Sequence, residues 1–247
     1  IIHGIVSLNF CNPLLKRYEW GLDNLIYDMK FSSKLGGIGC VIHLGTRITK
    51  NYNITVEECI KNYIDSLEYV IQNSPKNQKI YIETSSNQKN KIGGKIEELA
   101  ALYNKIGKKY KNRIKICVDT AHIFEAGYPI NSKEGVINYF KEFNKFIGKK
   151  NIKIIHINDS QTELGSKIDR HAPLGKGYIF DKNKGGSFEA LREIYKIASK
   201  HNIILILETP FKNYKKEIKL LKSYNDKGGG AKKKDIKQRI IDIFKKL

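Results

Sequence analysis

Short apolar runs, each carrying a histidine or a carboxylate at or near its end, recur along this chain at a nearly constant interval. His43 lies in CVIHL, Glu83 closes KIYIE, Asp119 closes IKICVD, His156 lies in IKIIHIND and Glu208 closes IILILE, with His3 in the opening segment. The steps are 40 residues (3 to 43), 40 (43 to 83), 36 (83 to 119), 37 (119 to 156) and 52 (156 to 208). A strand followed by a return helix takes roughly 30 residues or more, so this is the interval of successive βα units. Parallel strands closed into a barrel bring their carboxyl ends onto one face, which would gather all six side chains into one polar cluster. Imidazoles and carboxylates crowded there need cations to neutralise them, so a multinuclear metal centre is expected.

Helical patterns fill the intervals. Residues 13–35 place Leu14, Tyr18, Leu22, Leu25, Ile26 and Met29 on one stripe that ends at Gly36 and Gly37. Thr55 opens TVEE, an N-cap with Glu58 three residues on, ahead of Ile60, Tyr63, Ile64, Leu67 and Ile71, and the pattern stops near Pro75. Residues 95–106, 133–147 and 187–200 repeat the theme. Strand and helix therefore alternate six times, where a closed (β/α)8 barrel has eight units. The expected fold is an α/β TIM-type barrel over residues 1–225 that lacks the first two βα units. Because the first strand opens the chain, and residue 1 is Ile rather than Met, the missing pair is expected upstream; the alternative is an unusual closure. Residues 226–247 hold most of a Gly/Lys-rich break (NDKGGGAKKK, 225–234) and then KDIKQRIIDIFKKL. There Ile236, Ile240, Ile243 and Phe244 are spaced as an amphipathic helix, read as packing on the barrel exterior, with a basic arm touching phosphates as the alternative.

At 247 residues the chain can bury a substantial core, and one barrel domain fits. Lys and Arg outnumber Asp and Glu 45 to 25, a formal charge of +20 that favours polyanionic partners, nucleic acid first and anionic membrane second. The abundance of Lys, Asn and Ile also fits a compositional bias, so charge alone does not establish DNA binding. Cys11, Cys40, Cys59 and Cys117 form no C-x-x-C pair and suggest neither a zinc knuckle nor a disulfide framework. Cys40 and Cys117 lie in apolar runs and read as small core residues. An intracellular, reducing location follows. No apolar stretch approaches the ~18 residues of a membrane span, and no signal-peptide pattern opens the chain.

A lone strand histidine is more often a hydrogen-bonded core residue than a ligand. His43 and His156, both at strand ends and in step with three carboxylates, point the other way. Glu83 and Glu208 close strands so apolar that an unpaired carboxylate would be costly. Asp119 and His122 in D-T-A-H put two ligand types on one strand-to-helix turn. Asp169 and His171 in D-R-H fall in the insertion that lengthens the last interval; taken alone, that tripeptide reads as a solvated loop.

Three long strings go further. HINDSQTELGSKIDRHAPLGKGYI (156–179), CVDTAHIFEAGY (117–128) and IETSSNQKNKIGGKIEELA (82–100) resemble the endonuclease IV family of apurinic/apyrimidinic endonucleases, a resemblance covering roughly residues 1–225. It implies a TIM barrel with three metal ions, usually zinc, that cleaves DNA 5′ to an abasic site. Products would be a 3′-hydroxyl and a 5′-deoxyribose phosphate, and 3′-blocked ends would also be trimmed. It implies His3 and His43 on one ion, Glu83 bridging to a second held by Asp119, His156 and Glu208, and His122, Asp169 and His171 on the third. Glu83 and Glu208 are the catalytic candidates, Glu208 also as a proton acceptor. Arg170, Lys167 and Lys176, flanking the insertion, are the candidate DNA contacts, with a solvated loop as the alternative. Zinc and manganese both suit the mixed N/O donor set. A monomer acting on abasic duplex is expected. The chain departs from the family twice: the first two units, with a DNA-penetrating loop, have no counterpart, and His3-Gly4-Ile5-Val6 lacks the aromatic residue that tends to follow the first ligand. Competing readings are a xylose-isomerase-like sugar isomerase or epimerase and an inactive basic DNA-binding barrel.

Overall fold

The computed structural model describes residues 1–5 and 7–225. In chain order it runs β1 (Ile2–His3), α1 (Tyr18–Lys34), β2 (Gly39–Ile42), α2 (Val56–Gln72), β3 (Lys79–Glu83) and α3 (Ile96–Lys105). There follow β4 (Ile114–Asp119), the short α4 (Thr120–Glu125), α5 (Lys133–Phe146), β5 (Ile152–His156), the hairpin strands β6 (Asp159–Ser160) and β7 (His171–Ala172), α6 (Phe188–Lys200), β8 (Ile204–Ile206) and α7 (Phe211–Asn225). Strands β1, β2, β3, β4, β5 and β8 form one six-stranded sheet in that order, every pairing parallel, while β6 and β7 pair antiparallel apart from it. This is six units of a (β/α)8 barrel, with β1 and β8 at the two edges among the described residues.

The two-residue period of a strand sorts its side chains between two cores. Cys40, Ile42, Ile80, Ile82, Ile114, Ile116, Val118, Ile152 and Ile155 join the larger cluster built with the helices. Val41, Tyr81, Cys117 and Ile154 face the other way and bury together against Ile206, as an interior layer drawn from five strands. Two residues on from each member of that layer stand His43, Glu83, Asp119, His156 and Glu208. They occupy the next layer toward the carboxyl ends, so the apolar floor and the polar site above it are one pattern.

The capping box read at Thr55 forms: the Glu58 amide donates to the Thr55 hydroxyl at 3.1 Å and the Thr55 amide to the Glu58 carboxylate at 2.9 Å. Two expectations need correction. The first helix starts at Tyr18 rather than near residue 13, because residues 12–18 close as turns and Leu14 is 91% exposed, off the buried stripe. Cys11 and Cys59 form a disulfide, 48 residues apart in sequence, where no disulfide was expected. The loop after β1 folds back onto the start of α2 and brings the two thiols together. Disulfides are uncommon in reducing compartments, so the cysteines no longer support a reducing location. Cys40 and Cys117 are free and buried, as expected. The amphipathic stretch Ile236, Ile240, Ile243 and Phe244 lies outside the described residues.

Candidate metal centre

The nine residues read from the sequence as ligands converge at the carboxyl end of the sheet. Glu83, fully buried at the end of β3, presents its two oxygens to two different neighbourhoods. Oε2 lies 3.2 Å from His3 Nε2 and 3.6 Å from His43 Nε2. Oε1 accepts from His156 Nδ1 at 2.8 Å and lies 3.7 Å from His122 Nδ1. A carboxylate turned this way can be shared between two cations. The same His156 Nδ1 is 3.0 Å from Glu208 Oε2 and 3.9 Å from Asp119 Oδ2.

The insertion between β6 and β7 supplies a third neighbourhood. His122 Nε2 lies 3.2 Å from Asp169 Oδ2, and His171 Nε2 lies 3.4 Å from Asp169 Oδ1 and 3.7 Å from Asp119 Oδ2. Donor atoms of Asp119, His122 and His171 fall within 4.8 Å of one another, as do those of His3, His43 and Glu83, and those of Glu83, Asp119, His156 and Glu208. The sixth histidine of the chain, His201, follows α6 and takes no part.

Surrounding groups fix these side chains. His122 Nδ1 bonds the Thr84 carbonyl at 2.8 Å and His3 Nδ1 the Gly4 carbonyl at 2.8 Å, leaving both Nε2 atoms to face carboxylates. Asn158 donates to Asp119 Oδ2 at 2.6 Å and Glu208 Oε2 at 3.0 Å, while its own side-chain carbonyl accepts the Glu208 amide. The Thr84 hydroxyl accepts the Asp119 amide at 2.9 Å. The carbonyl partners orient the imidazoles and raise their basicity, while Asn158 holds the two carboxylates in place. Asn158 and Thr84 were not singled out in the sequence, although Asn158 stands inside H-I-N-D, two residues from His156.

Burial and mutual charge perturb the titrating groups of the centre in both directions. Burial pushes the Glu83 carboxyl up, but hydrogen bonds from His156 and His3 outweigh it and hold the group well below its ordinary range. Burial drives the His43 imidazole down to about 4, against the pull of Glu83 and helped by the charges of His122, His3 and Lys91. Burial lowers His3, His122 and His156 too, but neighbouring groups, Glu83 and Glu208 among them, outweigh it and raise all three, so a metal binding there would displace protons from these imidazoles. Burial lifts the Cys117 thiol up to about 12, and its sulfur lies with donor atoms of Glu83 and His156 within 4.8 Å of one another.

The donor set fits a divalent metal on one further observation. His122 Nε2 and His171 Nε2 are both buried without a hydrogen-bond partner, although each faces carboxylate oxygens. Buried polar atoms left in that state are costly, and a shared cation removes the cost. The centre is open to solvent at His3, Glu208 and Asp169, whose side chains keep 31%, 26% and 27% of their surface exposed, while those of Glu83 and Asp119 keep none. Arg170, Lys167 and Lys176 are all exposed on or just beyond the insertion. Among the described residues, the Arg170 guanidinium hydrogen-bonds only the neighbouring Asp169 carbonyl, at 3.2 Å.

A family model described as a xylose isomerase-like TIM barrel matches residues 1–224. A putative endonuclease 4 of Acanthamoeba polyphaga mimivirus is 36% identical over 229 residues, which are 92% of this chain and 71% of that protein. An apurinic-apyrimidinic endonuclease of Caenorhabditis elegans is 32% identical over 219 residues, 89% of this chain and 52% of that protein. The crystal structure of endonuclease IV from Thermus thermophilus superposes with a TM-score of 0.73 at 22% identity, covering 92% of this chain and 76% of that one, and shares its fold. Fold and site thus define a xylose isomerase-like barrel with a histidine- and carboxylate-rich centre at the carboxyl ends of its strands. Within that class, the chain belongs to the endonuclease IV family of apurinic/apyrimidinic endonucleases.

Proposed function

We propose that this chain is a metal-dependent DNA-repair endonuclease that hydrolyses the phosphodiester 5′ to abasic sites. It leaves a 3′-hydroxyl and a 5′-deoxyribose phosphate and also removes 3′ blocking groups. The observation that carries the reading is the division of Glu83 between two neighbourhoods, with a third built from Asp119, His122, Asp169 and His171. In this reading His3, His43 and Glu83 hold one zinc, Glu83, Asp119, His156 and Glu208 a second, and His122, Asp169 and His171 a third, with manganese able to replace zinc. Bound there, divalent cations supply Lewis acidity at the phosphate and bring the acidity of a water toward neutral pH.

The protein groups do the rest. Glu208, partly exposed and hydrogen-bonded by Asn158, is oriented to accept a proton at Oε1, the oxygen not engaged by His156. Glu83 and Asp119, sealed from solvent, keep their position throughout. Arg170, Lys167 and Lys176 meet backbone phosphates, which makes affinity salt-dependent. An abasic nucleotide, unstacked and unpaired, leaves the duplex at lower cost than an intact one. The barrel spans residues 1–225, acts as a monomer on duplex DNA inside the cell, and carries residues 226–247 as an appended segment. No helix among the described residues is long and apolar enough to cross a membrane.

Incision of a duplex with one abasic site, with and without chelator, tests the reading alongside metal analysis. About three metals per chain and chelator-sensitive incision support it. One or two metals without incision point to a sugar isomerase or epimerase on the same barrel, and none to a DNA-binding scaffold.

A further inference from the structure

Glu125 closes α4 three residues after His122 and is fully buried, yet no lysine or arginine pairs with it among the described residues. Its Oε1 accepts the Ser160 hydroxyl at 2.8 Å, the Arg170 amide at 3.3 Å and the Thr162 hydroxyl at 3.4 Å. Its Oε2 has no hydrogen-bond partner. The backbone of the same turn is engaged as well: the Glu125 carbonyl accepts the Lys167 amide at 3.0 Å and the Phe124 carbonyl the Gly165 amide at 3.1 Å. Both are carbonyls of the last helical turn; the Phe124 carbonyl also accepts the Gly127 amide at 2.9 Å, so the loop is its second donor. The whole loop between β6 and β7 is therefore seated on the end of α4, and Glu125 is the side chain at the centre of that seat.

The third neighbourhood of the metal centre spans this same junction. Asp119 and His122 come from the end of β4 and from α4, whereas Asp169 and His171 flank Arg170, whose amide Glu125 accepts. Burying a carboxyl without a cationic partner is costly, and an aliphatic side chain would fill the space more cheaply. The geometry points to Glu125 as a positioning residue for the third metal: its Oε1 holds the loop so that Asp169 and His171 meet Asp119 and His122. This rests on the trinuclear reading above. The role belongs to the acceptor oxygen and not to the charge, because only Oε1 has partners; a glutamine, which keeps that carbonyl, is expected to suffice.

Three variants of the full chain, Glu125→Ala, Glu125→Gln and Ser160→Ala, are compared with wild type. Zinc retention is followed against a graded chelator series, and amide exchange over residues 160–171. In Glu125→Ala the most weakly held zinc is expected to leave at a roughly 10–100-fold lower chelator strength, the scale on which partners of metal ligands act. The other two zincs stay, and exchange at Lys167 and Arg170 speeds at least about tenfold. Glu125→Gln matches wild type in both readouts. Ser160→Ala, which deletes the shortest of these bonds from the other side, moves in the same direction and carries the test if Glu125→Ala does not fold. Wild-type zinc retention and exchange in Glu125→Ala would overturn the inference, as would equal losses in the Ala and Gln variants. Fewer than three zincs in wild type would sink the trinuclear reading instead, and the exchange data alone would then judge whether Glu125 orders the loop.

Discussion

Asp119 stands directly opposite His156 in the sheet because the register of β4 against β5 shifts by one residue just below them. Ile116 pairs with Ile152 but Cys117 pairs with Ile154, so Lys153 is the extra residue of a bulge. Without that shift Asp119 would face Ile155, which packs in the outer core, and the two site residues would lie on opposite faces. The convergence of side chains at this centre therefore depends on an irregularity of the strands beneath it.

The sharing of Glu83 between two neighbourhoods makes its charge the feature to remove. Glu83→Gln keeps the shape and loses the anion proposed to hold two cations together. Turnover on abasic duplex is expected to fall by more than about a hundredfold, beyond the usual loss from changing an outer partner of a metal ligand. Duplex affinity by fluorescence anisotropy should persist. Near-normal turnover would locate the chemistry elsewhere.

Removing the metals should cost stability as well as activity. In the proposed reading, nine polar side chains packed at one face are held around charge that a chelator withdraws. Each site held at a hundredfold excess over its dissociation constant contributes about 2.7 kcal/mol, and each kcal/mol moves the melting temperature of a chain this size by roughly 2–4 °C. Calorimetry of metal-free and zinc-reconstituted protein should show a drop of several degrees at least, reversed by adding zinc. Equal melting temperatures would contradict the assignment.

The D-R-H insertion separates metal binding from DNA binding. Asp169→Asn with His171→Ala should lower metal content by about one ion per chain and reduce incision sharply while the other two ions stay. Arg170→Ala, whose guanidinium is free to meet a phosphate, should leave the metals in place, weaken duplex binding and flatten the salt dependence by roughly one contact. Three metals and a normal rate in the double variant would return the segment to an ordinary loop.

Glu125 should leave a signature in the pH dependence of stability. Burial pushes its carboxyl up to about 7, so between the ordinary glutamate range and pH 7 the folded state binds the proton more tightly than the unfolded chain. Its contribution is full at acid pH and lost as pH rises through about 7. Glu125→Gln has no proton to lose. In metal-free protein the variant should therefore gain stability relative to wild type from pH 5 to 8, by on the order of 3 kcal/mol if the whole shift is expressed. Chemical denaturation of both proteins across that range measures the difference. A pH-independent difference would mean that Glu125 is already ionised throughout.

The repeat of strand and helix, and a ligand type closing each strand, were legible because both follow from local chemistry. A strand alternates its faces every residue, so an apolar run ending in His43, Glu83, Asp119 or Glu208 states which face carries the site. The capping box at Thr55 was legible for the same reason, since both partners lie within one helical turn. What joins distant segments was decided only by the tertiary structure. The pairing of Cys11 with Cys59 has no signature in their spacing. The bulge at Lys153 is a property of two strands together. Asn158 reads as an ordinary loop residue until Asp119 and Glu208 are placed on either side of it, and Glu125 as one more surface acid until a loop 35 to 45 residues further on is folded over it. Sequence periodicity reports which way a side chain faces relative to its own backbone; which partners it then meets is set by register and packing.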